Sequence, residues 1–175
     1  MGADKALVDL GGKTAVERVV ASCHVAGVDW VRIVRAAGSS PLAGALAALE
    51  VKVSGGEMLD SVRAGAMHLP ENCVGAVVFP VDYAMVTDQT VCAVVEAVRE
   101  GHAVVLPLEG ARPGHPIGLS STCLAEACCD IGSLRDVVTA DRNRIYPVHV
   151  SDPWVHQDLD TPADLEAARD ALKNS

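Results

Sequence analysis

Aromatic side chains are almost absent from this 175-residue chain: two Trp, two Tyr and one Phe, 3% of the residues. Half the residues are nonetheless apolar, so the core has to be built from Val, Ala, Leu and Ile. That composition suits buried parallel strands and closely packed helices. Basic residues are also scarce, 14 Lys and Arg against 23 Asp and Glu, for a formal net charge of -9. Such a balance argues against a general nucleic-acid or membrane-surface binder. A nucleotide remains an acceptable ligand where a metal ion and a few local cations offset the repulsion. No run of about 18 apolar residues is present, and the N-terminus lacks a basic-then-apolar leader pattern. The expectation is therefore a cytoplasmic protein. The six cysteines (Cys23, Cys73, Cys92, Cys123, Cys128, Cys129) form no C-x-x-C pair and read as buried thiols of a reducing compartment. A metal site from Cys123, Cys128 and Cys129 is the weaker reading, because adjacent cysteines on a helix face different ways.

The length predicts one domain spanning residues 1–175. Apolar periodicity predicts helices over residues 14–26, 41–49, 59–68, 87–100, 122–129 and 163–172, the last with Pro162 in its first turn. Strands are predicted over 30–34, 51–53, 75–80, 103–108, 117–120 and 144–150. Strands alternating with helices mean a mostly parallel sheet with right-handed crossovers. Ligands of such sheets bind at the carboxyl ends of the strands.

Four segments could carry chemistry there. Asp82 directly follows the apolar strand of residues 75–80, where a carboxylate can hold a hard cation. The same position equally suits a turn or helix-capping aspartate. Asp158 and Asp160 lie two residues apart, so an extended backbone points both to one side; capping of the last helix by Asp160 or Thr161 is the alternative. Gly55 and Gly56 run into a helix start carrying Ser61 and Arg63, a place for a base or a phosphate, or an ordinary loop-to-helix join. Finally, Pro113, Gly114 and Pro116 pin His115 in a turn, as a substrate-contacting group, an acid–base participant or a plain hydrogen-bonding residue.

Six motifs follow one another in order. They are M-G-x-x-K-A-L at residues 1–7, S-V-R-A-G at 61–65 read with the preceding Gly55 and Gly56, Asp82 before V-T, R-P-G-H-P at 112–116, G-S-L-R at 132–135 and D-L-D-T-P-A-D-L at 158–165. Together they resemble the molybdenum cofactor cytidylyltransferase group of nucleotidyltransferases. The resemblance covers almost the whole chain. It implies a three-layer α/β/α Rossmann-like domain of the nucleotide-diphospho-sugar transferase type. It also implies Mg²⁺-dependent transfer of a nucleotidyl group from CTP, in relatives GTP, to a phosphorylated acceptor such as molybdopterin. By that resemblance Gly2 and Lys5 meet the triphosphate, Asp82 with Asp158 and Asp160 hold the metal, and Lys5 and Asp82 are the catalytic pair. Gly55, Gly56 and Ser61 read the base, and Gly114, His115 and Pro116 line the acceptor site. The cytidylyltransferases of isoprenoid precursor synthesis share the glycine stretch but lack D-x-D-T-P.

Two departures stand out. Tyr83 and Ala84 replace the family's usual residues after the aspartate. The family's first strand and glycine-rich phosphate loop precede the M-G of its motif, and here the M-G is Met1 and Gly2. Three expectations compete: a start assigned too late, a degenerate non-catalytic relative acting as a binding or regulatory partner, or a strand supplied by a second copy along an open sheet edge. The resemblance favours CTP over GTP and expects no nucleic-acid or membrane partner.

Overall fold

Capping decides where most of the helices begin. The computed structural model describes residues 4–129 and 132–173. Helix α1 (Ala15–Val25) opens on a reciprocal pair: Glu17 N donates to Thr14 Oγ1 at 3.3 Å, and Thr14 N donates to Glu17 Oε2 at 2.7 Å. This capping box satisfies two of the amides that a helix start leaves unpaired. Its far end is closed by Gly27 at φ +71°, with Val28 N donating to Cys23 O at 3.0 Å, the left-handed glycine stop. Helix α2 (Met58–Ala66) has Asp60 returning to the Glu57 amide, and α3 (Asp88–Arg99) has Thr87 as its cap. After α4 (Ser121–Cys129), the short α5 (Leu134–Thr139) repeats the box through Ser133 and Asp136. In α6 (Pro162–Lys173), Thr161 and Asp164 do the same.

The strands are β1 (Ile33–Ala36), β2 (Glu50–Val53), β3 (Gly75–Val78), β4 (Val104–Glu109), β5 (Arg112–Pro113), β6 (Ile117–Ser120) and β7 (Ile145–His149). They form two sheets. β1 and β2 pair in parallel, from Ile33 opposite Glu50 to Ala36 opposite Val53. The larger sheet runs β3, β6, β4, with β7 parallel to β4 and the two-residue β5 folded back on β4. β3, β4 and β7 thus share one direction and β6 runs against them. Among the described residues, β1 is paired only with β2 and β3 only with β6, so each keeps one edge without a strand partner.

Helices cover both faces of the larger sheet, giving the expected three-layer α/β/α arrangement. On one face Leu59 and Val62 of α2, Cys123, Leu124 and Ala127 of α4, and Leu134, Val137 and Val138 of α5 pack on Val104, Leu106 and Leu119. On the other, Val94, Ala97 and Val98 of α3 pack on Val105. A third cluster ties α1 to α6 through Leu10, Ala15, Leu165 and Ala168. No described helix is long and apolar enough to cross a membrane. Cys23 and Cys123 are buried while Cys129 is exposed, and burial pushes the Cys23 thiol up to about 11.

Four expectations shift. The helix expected over residues 41–49 is only a 3-10 turn, Gly44–Leu49. Gly44 at φ +59° cannot sit inside an α-helix, Ala43 offers no capping oxygen, and only Leu46 and Leu49 of the turn are partly buried, too little packing to offset the cost of nucleation. β1 starts three residues later than expected, at Ile33. β3 is only half-buried, because one of its edges lacks a neighbour. Helix α5 is not legible as a helix from its G-S-L-R motif.

Leu119 is fully buried where β6 crosses between β3 and β4. Leu119→Ala is expected to cost about 2–5 kcal/mol, the usual penalty of a core leucine cavity. Urea unfolding checks this: the midpoint should fall with the slope unchanged, and an unaltered midpoint contradicts the packing described.

Candidate active site

Every functional segment but one emerges at the carboxyl end of a strand. The turn holding Asp82 follows β3, the Gly114–Pro116 loop follows β4 through the β5 hairpin, and the segment bearing Asp158 and Asp160 follows β7. Gly55 and Gly56 follow β2. Lys5 arrives differently. It lies on a 3-10 turn, Lys5–Leu7, whose Ala6 amide donates to Asp4 Oδ1 at 3.3 Å. The other Asp4 oxygen pairs with the guanidinium of Arg35 on β1. Arg35 is itself buried, donating to Ser40 O and to Glu50 Oε1, each at 2.6 Å. A buried guanidinium needs such a full set of acceptors, and this one anchors the Lys5 turn to the end of β1.

The result is a three-residue centre. Lys5 Nζ lies 3.3 Å from Asp82 Oδ1 and donates to Asp160 Oδ1, so two carboxylates share one ammonium. Asp160, with Asp82 beside it, raises the Lys5 ammonium above its usual range against the opposing pull of partial burial. Asp82 Oδ1 is buried and accepts no hydrogen bond; its partner is ionic only. Leu159 N donates to Asp82 O at 3.0 Å, which clamps the two acidic segments together through the backbone. Leu159 is buried and its neighbours are exposed, so Asp158 and Asp160 both face outward as period-two alternation requires.

The expected residues divide accordingly. Lys5, Asp82 and Asp160 are brought together. Asp158 is exposed, and no hydrogen bond or ion pair joins it to Lys5. Its charge reaches the phenol of Tyr83, which burial first and then Asp158, Asp82 and Asp160 raise above its usual range. No cluster of three His, Cys, Asp or Glu donors suited to a metal occurs among the described residues. The acidic pair alone fits a hard cation in donor chemistry: two carboxylates face one positive charge, and the buried oxygen of Asp82 accepts no hydrogen bond. Gly55, Gly56 and Ser61 stand on the loop and first turn of α2, with no hydrogen bond to the Lys5 centre. Gly2 lies outside the described residues.

His115 packs on Tyr83 with ring centroids 4.4 Å apart. Its Nδ1 is buried and neither accepts nor donates a hydrogen bond, while its backbone amide donates to Val155 O at 3.0 Å. The His115–Pro116 peptide is cis. Gly114 admits no side chain: a Cβ there would stand 2.4 Å from Val155 O. Burial holds the His115 imidazole below its ordinary value of 6.5. Three residues at or around the site escape sequence reasoning. Tyr83 reads only as a departure from the family pattern. Arg35 looks like any strand arginine. Asp152 carries no motif.

The larger sheet is mixed, with β3, β4 and β7 running one way, and a lysine and two carboxylates meet beyond the carboxyl ends of these strands in an α/β domain. The chain matches the MobA-like NTP transferase domain over residues 1–149 and belongs to that family. Rv0371c from Mycobacterium tuberculosis H37Rv is similar in fold, with a TM-score of 0.84 at 19% identity over 97% of this chain and 91% of that one. Its complex with manganese gives a TM-score of 0.79, also at 19% identity, over 97% and 93%. The 2-C-methyl-D-erythritol 4-phosphate cytidylyltransferase from Thermus thermophilus gives 0.73 at 20% identity, over 98% and 94%. Molybdopterin-guanine dinucleotide biosynthesis protein A from Archaeoglobus fulgidus gives 0.60 at 18%, over 99% and 93%. At these identities the likeness carries the fold alone. No curated protein matches the chain.

The depressed imidazole sets a pH dependence. A folded-state value below the unfolded one leaves the contribution intact at neutral pH and removes it as pH falls from about 6.5 through the folded value. An NMR titration of His115 should give a midpoint below 6.5, and Tyr83→Ala, by opening the ring to water, should move it back up. A wild-type midpoint at or above 6.5 contradicts the burial argument.

Proposed function

We propose that this chain transfers a nucleotidyl group from a nucleoside triphosphate, CTP in preference to GTP, to a phosphorylated acceptor of molybdopterin type. The observation that carries this reading is the convergence of Lys5, Asp82 and Asp160 from opposite ends of the chain onto one sheet edge. Such transfer needs no covalent protein intermediate; an acceptor oxygen attacks the α-phosphorus and pyrophosphate leaves, so catalysis is positioning plus electrostatics. Asp82 and Asp160 would hold Mg²⁺, which when bound neutralises phosphate charge and polarises the reacting phosphoryl oxygens. Manganese in the complex of a neighbour with this fold supports a divalent ion.

The chain's own residues then divide the work. Lys5 exchanges its carboxylate partners for phosphate oxygens and balances the charge that builds on the leaving group. Before that exchange, Asp160 and Asp82 hold its ammonium above the usual range. Gly55, Gly56 and Ser61 receive the base. Asp60, which caps α2, and Glu57 make that helix start acidic, so it suits a base with amino donors rather than a phosphate. Gly114, His115 and Pro116 receive the acceptor. His115 presents an uncharged imidazole with a free Nδ1, and Tyr83 shields its ring from water.

Asp82→Asn keeps the shape of the side chain and removes one ligand charge. Transfer from CTP in the presence of Mg²⁺ is expected to fall by about 10²–10³-fold, the several kcal/mol a bound metal supplies to a phosphoryl transition state. Calorimetric titration of CTP and of GTP with Mg²⁺ tests the reading directly. Absence of binding for both nucleotides overturns it, as does full activity in Asp82→Asn.

A further inference from the structure

Asp152 is 2% exposed, and no cation among the described residues pairs with it. A buried carboxylate without a counter-ion persists only where donors surround it. Oδ2 accepts from Thr87 N at 2.9 Å, Thr87 Oγ1 at 2.8 Å and Thr90 Oγ1 at 2.7 Å; Oδ1 accepts from Trp154 N at 3.1 Å. Three of these four donors belong to the start of α3, and the fourth to the 3-10 turn Pro153–His156.

Both ends of this junction lead to the site. Thr87 follows Asp82 by five residues, through a turn closed by Val86 N donating to Tyr83 O at 3.0 Å. On the other side the Pro153–His156 turn runs directly into Asp158, Leu159 and Asp160. Val155 of that turn accepts the His115 amide, and Leu159 donates to Asp82 O. The connections therefore close a ring: Asp82, Thr87, Asp152, Val155, Leu159 and back to Asp82, with His115 hung from Val155.

We infer that Asp152 is a positioning residue, which by joining α3 to the Pro153–His156 turn sets where Asp160 stands relative to Asp82 and where His115 stands relative to both. Asp152 touches neither Lys5 nor the carboxylates it places. The inference rests on the proposed nucleotidyl transfer for its functional meaning, and on the hydrogen bonds alone for its structural content.

The test uses the full chain and two variants. Asp152→Ala removes all four acceptor contacts; Thr90→Val removes one hydroxyl with little change of shape. Amide hydrogen exchange is followed at Leu159 and His115, with Val104–Leu106 of β4 as the internal reference, and Mn²⁺ affinity is followed in parallel by electron paramagnetic resonance. In Asp152→Ala, exchange at Leu159 and His115 is expected to rise at least tenfold, the β4 amides to keep wild-type protection and Mn²⁺ affinity to fall about tenfold, one step of about 1.4 kcal/mol. Thr90→Val should move the same two amides in the same direction by a smaller factor, and it decides the matter where Asp152→Ala does not fold. Wild-type protection at Leu159 and His115 overturns the inference. So does a rise shared equally by β4, which makes Asp152 a residue of global stability. Failure of the wild-type protein to bind Mn²⁺ overturns the metal assignment of the proposed function instead, and the exchange arm alone then decides the role of Asp152.

Discussion

Two carboxylates held a few ångströms apart repel each other, and a cation between them offsets that repulsion. At about 4 Å the repulsion is about 4 kcal/mol at an effective dielectric near 20 and falls towards about 1 kcal/mol where water screens the pair. Asp82 and Asp160 both meet the Lys5 ammonium, which offsets their mutual repulsion. The same ammonium explains the care with which the Lys5 turn is held. Arg35, buried at the edge of β1, grips Asp4 and so fixes the backbone from which Lys5 reaches. In a chain with a net charge of -9, a cation at this edge eases the convergence of the acidic segments. Under the proposed function a divalent ion would do the same work with more charge.

Local signals carry much of the fold. Thr14 with Glu17, Thr87 with Thr90 and Thr161 with Asp164 mark helix starts in the sequence, and the helices begin there because those side chains answer amides within three residues. The strand of residues 103–108 is legible for a different reason: it is a continuous apolar run bounded by turns. The segment 41–49 misleads because its alanines have high helix propensity but nothing to pack on, and propensity alone does not sustain so short a helix. The division into two sheets is not written in any one strand, since each strand reveals its own apolar faces and not its neighbours.

The candidate site divides along the same line. Asp82, Asp158, Asp160 and His115 are visible because chemistry-bearing side chains follow strands or sit among glycines and prolines, and Lys5 is visible only through the M-G-x-x-K motif of the resemblance. Arg35 and Asp152 are not. An arginine in V-R-A and an aspartate in S-D-P read as exposed, and it takes partners far away in the chain, Asp4 for one and Thr87 and Thr90 for the other, to complete the set that makes their burial tolerable. A buried charge is a tertiary fact, and sequence spacing carries no trace of its distant donors.

That distance shapes how the site can exist. Lys5 and Asp160 are 155 residues apart, and Asp82 lies between them on a third segment. Closing so long a loop costs little more than closing a shorter one, because the entropy grows only with the logarithm of length. The cost that matters is ordering the last few residues before α6, which have no strand or helix of their own. Hydrogen bonds from Leu159 to Asp82 and through Asp152 to α3 supply that order. The segment is exposed on both sides of Leu159, and such segments open at lower free energy than the core beneath them. Asp160 is therefore set on a stretch of chain that can yield locally while β4, β6 and α3 remain packed. Under the proposed function, in which Lys5 releases one partner to meet a phosphate, that combination is what the reaction would require: firm placement of the carboxylates and a low local cost of rearrangement.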